Sequence, residues 1–292
     1  MGILSGLEKF GLGKVDMDSL MEEEKHEAKA QEPVKKEPEK EPEKEPPKEE
    51  EFLLPKSMRC PVCDTNYKSP SVKTGRVKRL PPDFDLRPRH QYIDTNKYDV
   101  ASCPKCGYTA MYRYYEHVSP GQIKLIEKEV RSKFKPEAPT DPKAPVKPFT
   151  YEEAIGRYQL ALFNAVVKKA KTSERAYILL KLAWLNRGHA EELEAKGESG
   201  SEEYVSAREQ EDAFYVQAYD EFVKAVASEN FPMCGMDEHT VNILLAGMSY
   251  KLEKYDVASK LVSTILVSRT ASSVVKDRAL SLKEEIVAKL RG

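Results

Sequence analysis

The hydrophobic pattern changes period along the chain. From Phe149 to Gly292, apolar and small residues recur at spacings of three and four, as on a helix with one buried face. Tyr151, Ala154, Tyr158 and Ala161 form one such series. Ala218, Phe222 and Ala225 form a second, and Tyr255, Ala258, Val262 and Ile265 a looser third. A small residue followed by a large one at these offsets lets a helix pack closely on its neighbour, the pattern of the second helix of a tetratricopeptide pair. Segments suited to the first position lie between them: Ser173 to Arg187, Asp237 to Lys251, and a closing Ser273 to Leu290. A long helix is predicted from about Glu202 to Ser228, and Gly188 to Ser201 reads as an extended connection. The array is therefore degenerate rather than regular. Stacked pairs of this kind leave a concave groove suited to a protein segment.

Residues 52–117 lack that period. Tyr67, Val72, Val77 and Leu80 read as parts of short strands, and Tyr108 to Tyr115 as a strand or the start of a helix. Ser119 and Pro120 then supply a helix cap and first turn, with Ile123, Ile126 and Val130 on one face up to about Lys135. Pro136, Pro139, Pro142, Pro145 and Pro148 follow at every third position. Polyproline II has the same period, so this stretch reads as a semi-rigid spacer, with a ligand for an aromatic groove as the alternative.

Cysteines define the chemistry of the non-helical stretch. Cys60-Pro61-Val62-Cys63 and Cys103-Pro104-Lys105-Cys106 are separated by 39 residues. Each Cys-x-x-Cys turn aims two thiolates at one point, and two such turns supply the four sulfurs of a tetrahedral Zn²⁺ site. A redox or disulfide pair and an iron or iron–sulfur centre are the alternatives. Gly107, just after the last cysteine, suits a tight knuckle that needs φ > 0. Four protein sulfurs leave no coordination position open, so one such zinc ion is structural and not catalytic.

Charge is uneven although the net is only −1. Residues 22–51 hold 13 Glu against 7 Lys, and residues 56–135 hold 17 Lys and Arg against 8 Asp and Glu. The first composition buries too little apolar surface to offset ordering and reads as a disordered tether. Before it, residues 1–20 can form a short amphipathic peptide carrying Leu4, Leu7 and Phe10, which reads as a docking element for a protein partner or for the groove, with a poorly ordered terminus or a weak membrane-surface anchor as the alternatives. No apolar run approaches the roughly 18 residues of a membrane helix. Paired thiols without an export signal point to a reducing cytoplasm.

The basic stretch opens a second functional class. Lys73, Arg76, Lys78, Arg79, Arg87, Arg89 and Tyr92 interleave cations with an aromatic ring, as single-stranded nucleic-acid binders do. Against this, Asp83 and Asp85 lie beside Arg87 and Arg89 and can close an internal ion-pair network. Those four charged residues are also the candidates for an enzyme site between ribbon and helices. No Gly-rich phosphate loop, zinc-protease helix or nucleophile elbow occurs. Trp184 reads as core, Cys234 as a packed loop thiol, Arg187 as a capping or solvated residue, and His90 and His117 as surface groups or neighbours of the zinc.

Several motifs together resemble the bacterial family known as domain of unknown function 2225. They are Cys60 to Cys63, Val72-Lys73-Thr74-Gly75, Asp83-Phe84-Asp85-Leu86-Arg87-Pro88-Arg89, Lys97-Tyr98-Asp99-Val100, Cys103 to Ala110, and Leu180 to Arg187. The resemblance covers most of residues 57–290. It implies zinc at the four cysteines and a tetratricopeptide-like helical half, and it implies no particular activity. The expected architecture is α+β and multi-domain: peptide 1–20, disordered linker 21–51, zinc ribbon 52–117, helix 118–135, polyproline spacer 136–148 and helical domain 149–292. The expected role is that of a cytoplasmic, non-enzymatic adaptor, with nucleic-acid binding through the ribbon as the alternative.

Overall fold

The computed structural model describes residues 46–136 and 146–291. The N-terminal peptide, most of the linker and the centre of the proline spacer lie outside these residues. Three short antiparallel strand pairs come first. β1 (Leu53–Arg59) pairs with β2 (Asn66–Val72), β3 (Arg79–Leu80) with β4 (Arg89–His90), and β5 (Val100–Ser102) with β6 (Thr109–Met111). Eight helices follow among the described residues. They are α1 (Tyr112–Tyr115), α2 (Pro120–Ile126), α3 (Tyr151–Val167), α4 (Thr172–Ala195), α5 (Glu202–Ser228), α6 (Glu238–Lys251), α7 (Tyr255–Val267) and α8 (Ser273–Arg291). The α+β class expected from the sequence is the class observed.

Helix starts follow their caps. The Ser119 hydroxyl accepts from the Gln122 N–H, and Gln122 Oε1 accepts from the Ser119 N–H at 3.0 Å. Thr150 and Glu153 make the same reciprocal pair at the head of α3. Asp237 Oδ1 accepts from the Thr240 N–H at 2.7 Å and starts α6. Each such cap contributes about 1 kcal/mol. The small-then-large series face inward as their spacing requires: Ala154, Tyr158 and Ala161, then Ala218, Phe222 and Ala225, then Ala258, Val262 and Ile265, are all buried.

Ribbon and helices, expected as separate domains, instead share cores within one compact unit spanning Pro47–Gly292. Val100 and Met111 of the last hairpin pack with Tyr158, Ile178 and Leu182 of α3 and α4. Ile126 and Val130, from α2 and the π-turn after it, close over the cysteine hairpins. The ribbon is too small to bury much apolar surface by itself, so it borrows helical surface.

Two other boundaries differ from expectation. The linker was expected to run to residue 51, yet Glu49–Phe52 form a 3₁₀ turn. Glu49 is held there by Lys97 Nζ and by the Tyr98 hydroxyl at 2.8 Å, so its charge is anchored rather than solvated. Gly188 was expected to begin a connection, but α4 continues through it. A Cβ at Gly188 would lie 2.7 Å from Tyr151 Oη, so the glycine serves close packing of α3 on α4.

Gly247 plays the same part on α6, where a Cβ would lie 2.3 Å from the Phe84 carbonyl oxygen. Backbone cannot rotate aside as a side chain can. Gly247→Ala is expected to destabilise the protein by about 1–3 kcal/mol through displacement of the 83–89 loop. Urea unfolding measures this, and an unchanged midpoint contradicts the close approach.

Candidate metal centre

Each cysteine pair sits at the tip of a hairpin, and the two tips have the same hydrogen bonding. In the first, the Cys60 N–H donates to the Thr65 carbonyl at 2.9 Å and the Asp64 N–H donates to the Cys60 carbonyl at 2.9 Å. In the second, the Cys103 N–H donates to the Tyr108 carbonyl at 2.9 Å and the Gly107 N–H donates to the Cys103 carbonyl at 3.0 Å. The fifth residue of each turn has left-handed backbone, Asp64 at φ 63° and Gly107 at φ 72°. The second needs glycine for space as well, since a Cβ at Gly107 would lie 2.5 Å from the Phe134 ring.

These turns bring Cys60, Cys63, Cys103 and Cys106 together, with all four Sγ atoms within 4.8 Å of one another. Cys60 and Cys106 are 3.6 Å apart, as are Cys63 and Cys103. Metal–sulfur bonds of about 2.3 Å at tetrahedral angles place sulfurs about 3.8 Å apart, so the residues present fit one four-coordinate ion. Cys60, Cys103 and Cys106 are fully buried. Hydrogen bonds from the Cys103 and Cys106 thiols push Cys60 down toward the thiolate. Its sulfur, Cys103 and burial push Cys106 up. Cys60, Cys103 and Cys106 are thus coupled in one desolvated space, and a cation that takes the place of their protons would suit it.

The shell around the sulfurs is aromatic and hydrogen-bonded. Tyr67 Oη donates to Tyr115 Oη at 2.7 Å, and Tyr108 Oη donates to the Tyr115 carbonyl at 3.0 Å. Asn164 of α3 reaches into the second knuckle and donates to the Gly107 carbonyl at 3.1 Å. The centre is tied to the helical half through Asn164.

The candidate basic surface divides in two. Arg76, Lys78, Arg79 and Tyr92 are exposed. Lys73 Nζ and Arg76 Nη1 donate to the Glu51 carbonyl at 3.0 and 3.4 Å. Arg87, counted with that surface from sequence, is instead buried, its side chain only 3% exposed. It donates to both carboxylate oxygens of Glu191 on α4, at 2.9 and 3.0 Å. Arg89 is also drawn to Glu191, at 3.1 Å. Both cations are consumed in holding the ribbon loop to the helices.

Arg187 lies at the centre of this clamp. The sequence suggested a capping or solvated residue, and the structure leaves its side chain only 12% exposed. Its guanidinium donates to Asp85 Oδ2 at 2.7 Å, Asp83 Oδ2 at 3.0 Å and Glu211 Oε1 at 2.7 Å. Lys251 also contacts Glu211. Trp184, expected only as core, adds an Nε1–H bond to Asp85 Oδ2 at 3.1 Å. Burial opposes the charge on Asp85, but Arg187 outweighs it and holds the carboxyl below its usual range. Glu211 is lowered against burial in the same way, by Arg187 and Lys251. Asp83 and Asp85 are therefore neutralised internally, as one sequence reading held, although the partner of Asp85 is Arg187. Cys234 is a packed thiol that donates to the Ser173 carbonyl at 3.1 Å, and burial raises its pKa.

Arg187→Met keeps the bulk and removes the charge, leaving Asp85 and Glu211 buried without it. A loss of about 3–5 kcal/mol in urea unfolding at neutral pH is expected. The sign with pH follows from the lowered carboxyls. Their stabilisation is complete above the unfolded values of about 4 and is lost as pH falls through the lower folded values. Without Arg187 the folded values rise, so acid unfolding followed by circular dichroism begins at higher pH. An unshifted acid transition shows that the cluster is solvated.

No curated protein and no solved structure matches the chain. Residues 53–286 match the pattern of the family described as an uncharacterized protein conserved in bacteria, domain of unknown function 2225. That span takes in both cysteine pairs, the Arg187 clamp and nearly all of the helical half, and the chain belongs to this family.

Proposed function

We propose that this chain is a non-enzymatic adaptor of the reducing cytoplasm, with one structural Zn²⁺ shaping its ribbon and a tetratricopeptide-like helical surface taking a segment of a partner protein. The observation that carries this reading is the closure of the four-sulfur centre. A buried site whose four positions are filled by protein supports folding and offers nothing to a substrate. The helical half supplies the recruiting surface. Val205, Val216 and Val223 of α5 are each 44–48% exposed, and their spacing sets them along one flank. The opposite flank buries Ala207, Tyr215, Ala218 and Phe222. An apolar row beside a packed array suits an apolar partner segment, and the N-terminal peptide is a separate recruiting element.

Binding of nucleic acid is the second reading. It is favoured by the exposure of Arg76, Lys78, Arg79 and Tyr92. None of those cations has a carboxylate partner among the described residues. The loss of Arg87 and Arg89 to the internal clamp weakens it.

Zinc is tested by metal analysis of reduced protein after gel filtration. About one tightly held zinc per chain is expected, absent in Cys106→Ser; far less than one in the parent chain removes the zinc reading. Structural sites of this kind contribute roughly 10–16 kcal/mol of apparent binding energy, so chelation is expected to unfold the ribbon.

The adaptor reading is tested by affinity capture of the tagged full chain from native cells, split into nuclease-treated and untreated halves. A discrete set of proteins is expected to persist after nuclease and to be lost with Val216→Asp/Val223→Asp, whose thermal melt stays near that of the parent. Collapse of the set after nuclease transfers the role to the basic ribbon.

A further inference from the structure

Far from the cysteines in sequence, three helices bring an imidazole and two carboxylates to one point. Glu152 lies in the first turn of α3, His189 near the end of α4 and Glu203 in the first turn of α5. His189 Nε2 is 3.2 Å from Glu203 Oε1 and 3.7 Å from Glu152 Oε1. One ligand atom from each residue falls within 4.8 Å of the other two. The histidine is only 9% exposed. The two carboxylate side chains face solvent, 64% and 52% exposed.

The imidazole is held in place. Tyr151 stacks on it, with ring centroids 5.6 Å apart and planes inclined by 21°. The Tyr151 hydroxyl is itself fixed by Asp94 Oδ2 at 3.2 Å. Gly188 leaves the space in which the Tyr151 ring lies. Neither carboxylate meets Nε2 in hydrogen-bond alignment, and no other hydrogen bond among the described residues involves this ring. Nε2 thus faces two carboxylates from different helices without forming the bond that a simple polar clamp would make.

Helix-dipole preference accounts for Glu152 and Glu203 in first turns, but not for their convergence on one imidazole nitrogen. Bonds of about 2.1 Å at tetrahedral angles place ligand atoms about 3.4 Å apart. The two measured separations, 3.2 and 3.7 Å, lie on either side of that value. One imidazole with two carboxylates suits first-row divalent ions better than Mg²⁺ or Ca²⁺, which take oxygen ligands. We propose that Glu152, His189 and Glu203 form a second metal site, binding a first-row divalent transition-metal ion whose remaining positions are filled by water. This site differs in kind from the four-sulfur centre, because it is open.

The test uses the full chain with its cysteine centre already loaded with zinc. Titration with Zn²⁺ by calorimetry, and with Co²⁺ by visible absorption, is expected to show one further equivalent. Bound Co²⁺ should give visible d–d bands without the near-ultraviolet sulfur charge-transfer band that would signal exchange into the cysteines. Glu203→Gln and His189→Gln are each expected to weaken that equivalent by more than the roughly 10- to 100-fold that loss of an outer-sphere partner costs. Glu152→Gln, at a second solvent-facing position, gives the same readout should His189→Gln disturb packing. No further equivalent in the parent chain overturns the proposal, as does one whose affinity both glutamate variants leave unchanged.

Discussion

Burial of the Arg187 guanidinium sets the terms for the rest of the molecule. A buried charge is tolerated only where paired and hydrogen-bonded, and the partners of Arg187 come from separated parts of the chain. Asp83 and Asp85 belong to the ribbon loop, Glu211 to α5, and Lys251 closes on Glu211 from α6. Asp85 and Glu211 keep their charge in spite of burial because Arg187 is in place. The loop cannot leave the helices without stranding a cation and carboxylates in apolar surroundings. One electrostatic requirement therefore ties the ribbon loop to the helical half, since parting the charges would be costly.

The same clamp decides which surface is free to act. Arg87 and Arg89 are drawn from the basic stretch onto Glu191, so the cation cluster visible in the sequence is thinned on folding. What stays outside is a smaller cationic edge at Arg76, Lys78 and Arg79 and an apolar row on α5. A loop rich in charge can be internal cement rather than a recognition surface. The measure of which it is lies in its partners, not its composition.

Features with a local period or fixed spacing were legible in the sequence. Cys-x-x-Cys turns, the Ser119 cap, the buried small-and-large series, and the need for φ > 0 at Gly107 all rest on neighbours within a few residues. Arg187 and Asp85 are 102 residues apart, and such a pairing leaves no mark on either segment alone. Gly188 misled for a related reason. Glycine signals a break when read locally, whereas here its missing side chain makes room for Tyr151 of another helix. The Glu152, His189 and Glu203 group was invisible on the same ground, since its members come from three helices whose mutual placement no motif announces.

The cysteine hairpins depend on the helical scaffold as well as on their own turns. β5 and β6 have three residues each, too few for a hairpin to persist in water by itself. The Cys103 and Gly107 N–H bonds close the tip of this hairpin, and Asn164 fixes the carbonyl of Gly107 from the helical side. Val100 and Met111 at its open end are sealed by α3 and α4. The hairpin is thus held at its base by apolar burial and at its tip by its own turn bonds and Asn164, so the helical half helps to keep the four sulfurs together. A metal ion of the kind proposed would bind where the helices already support the turn, which couples its loading to helix packing.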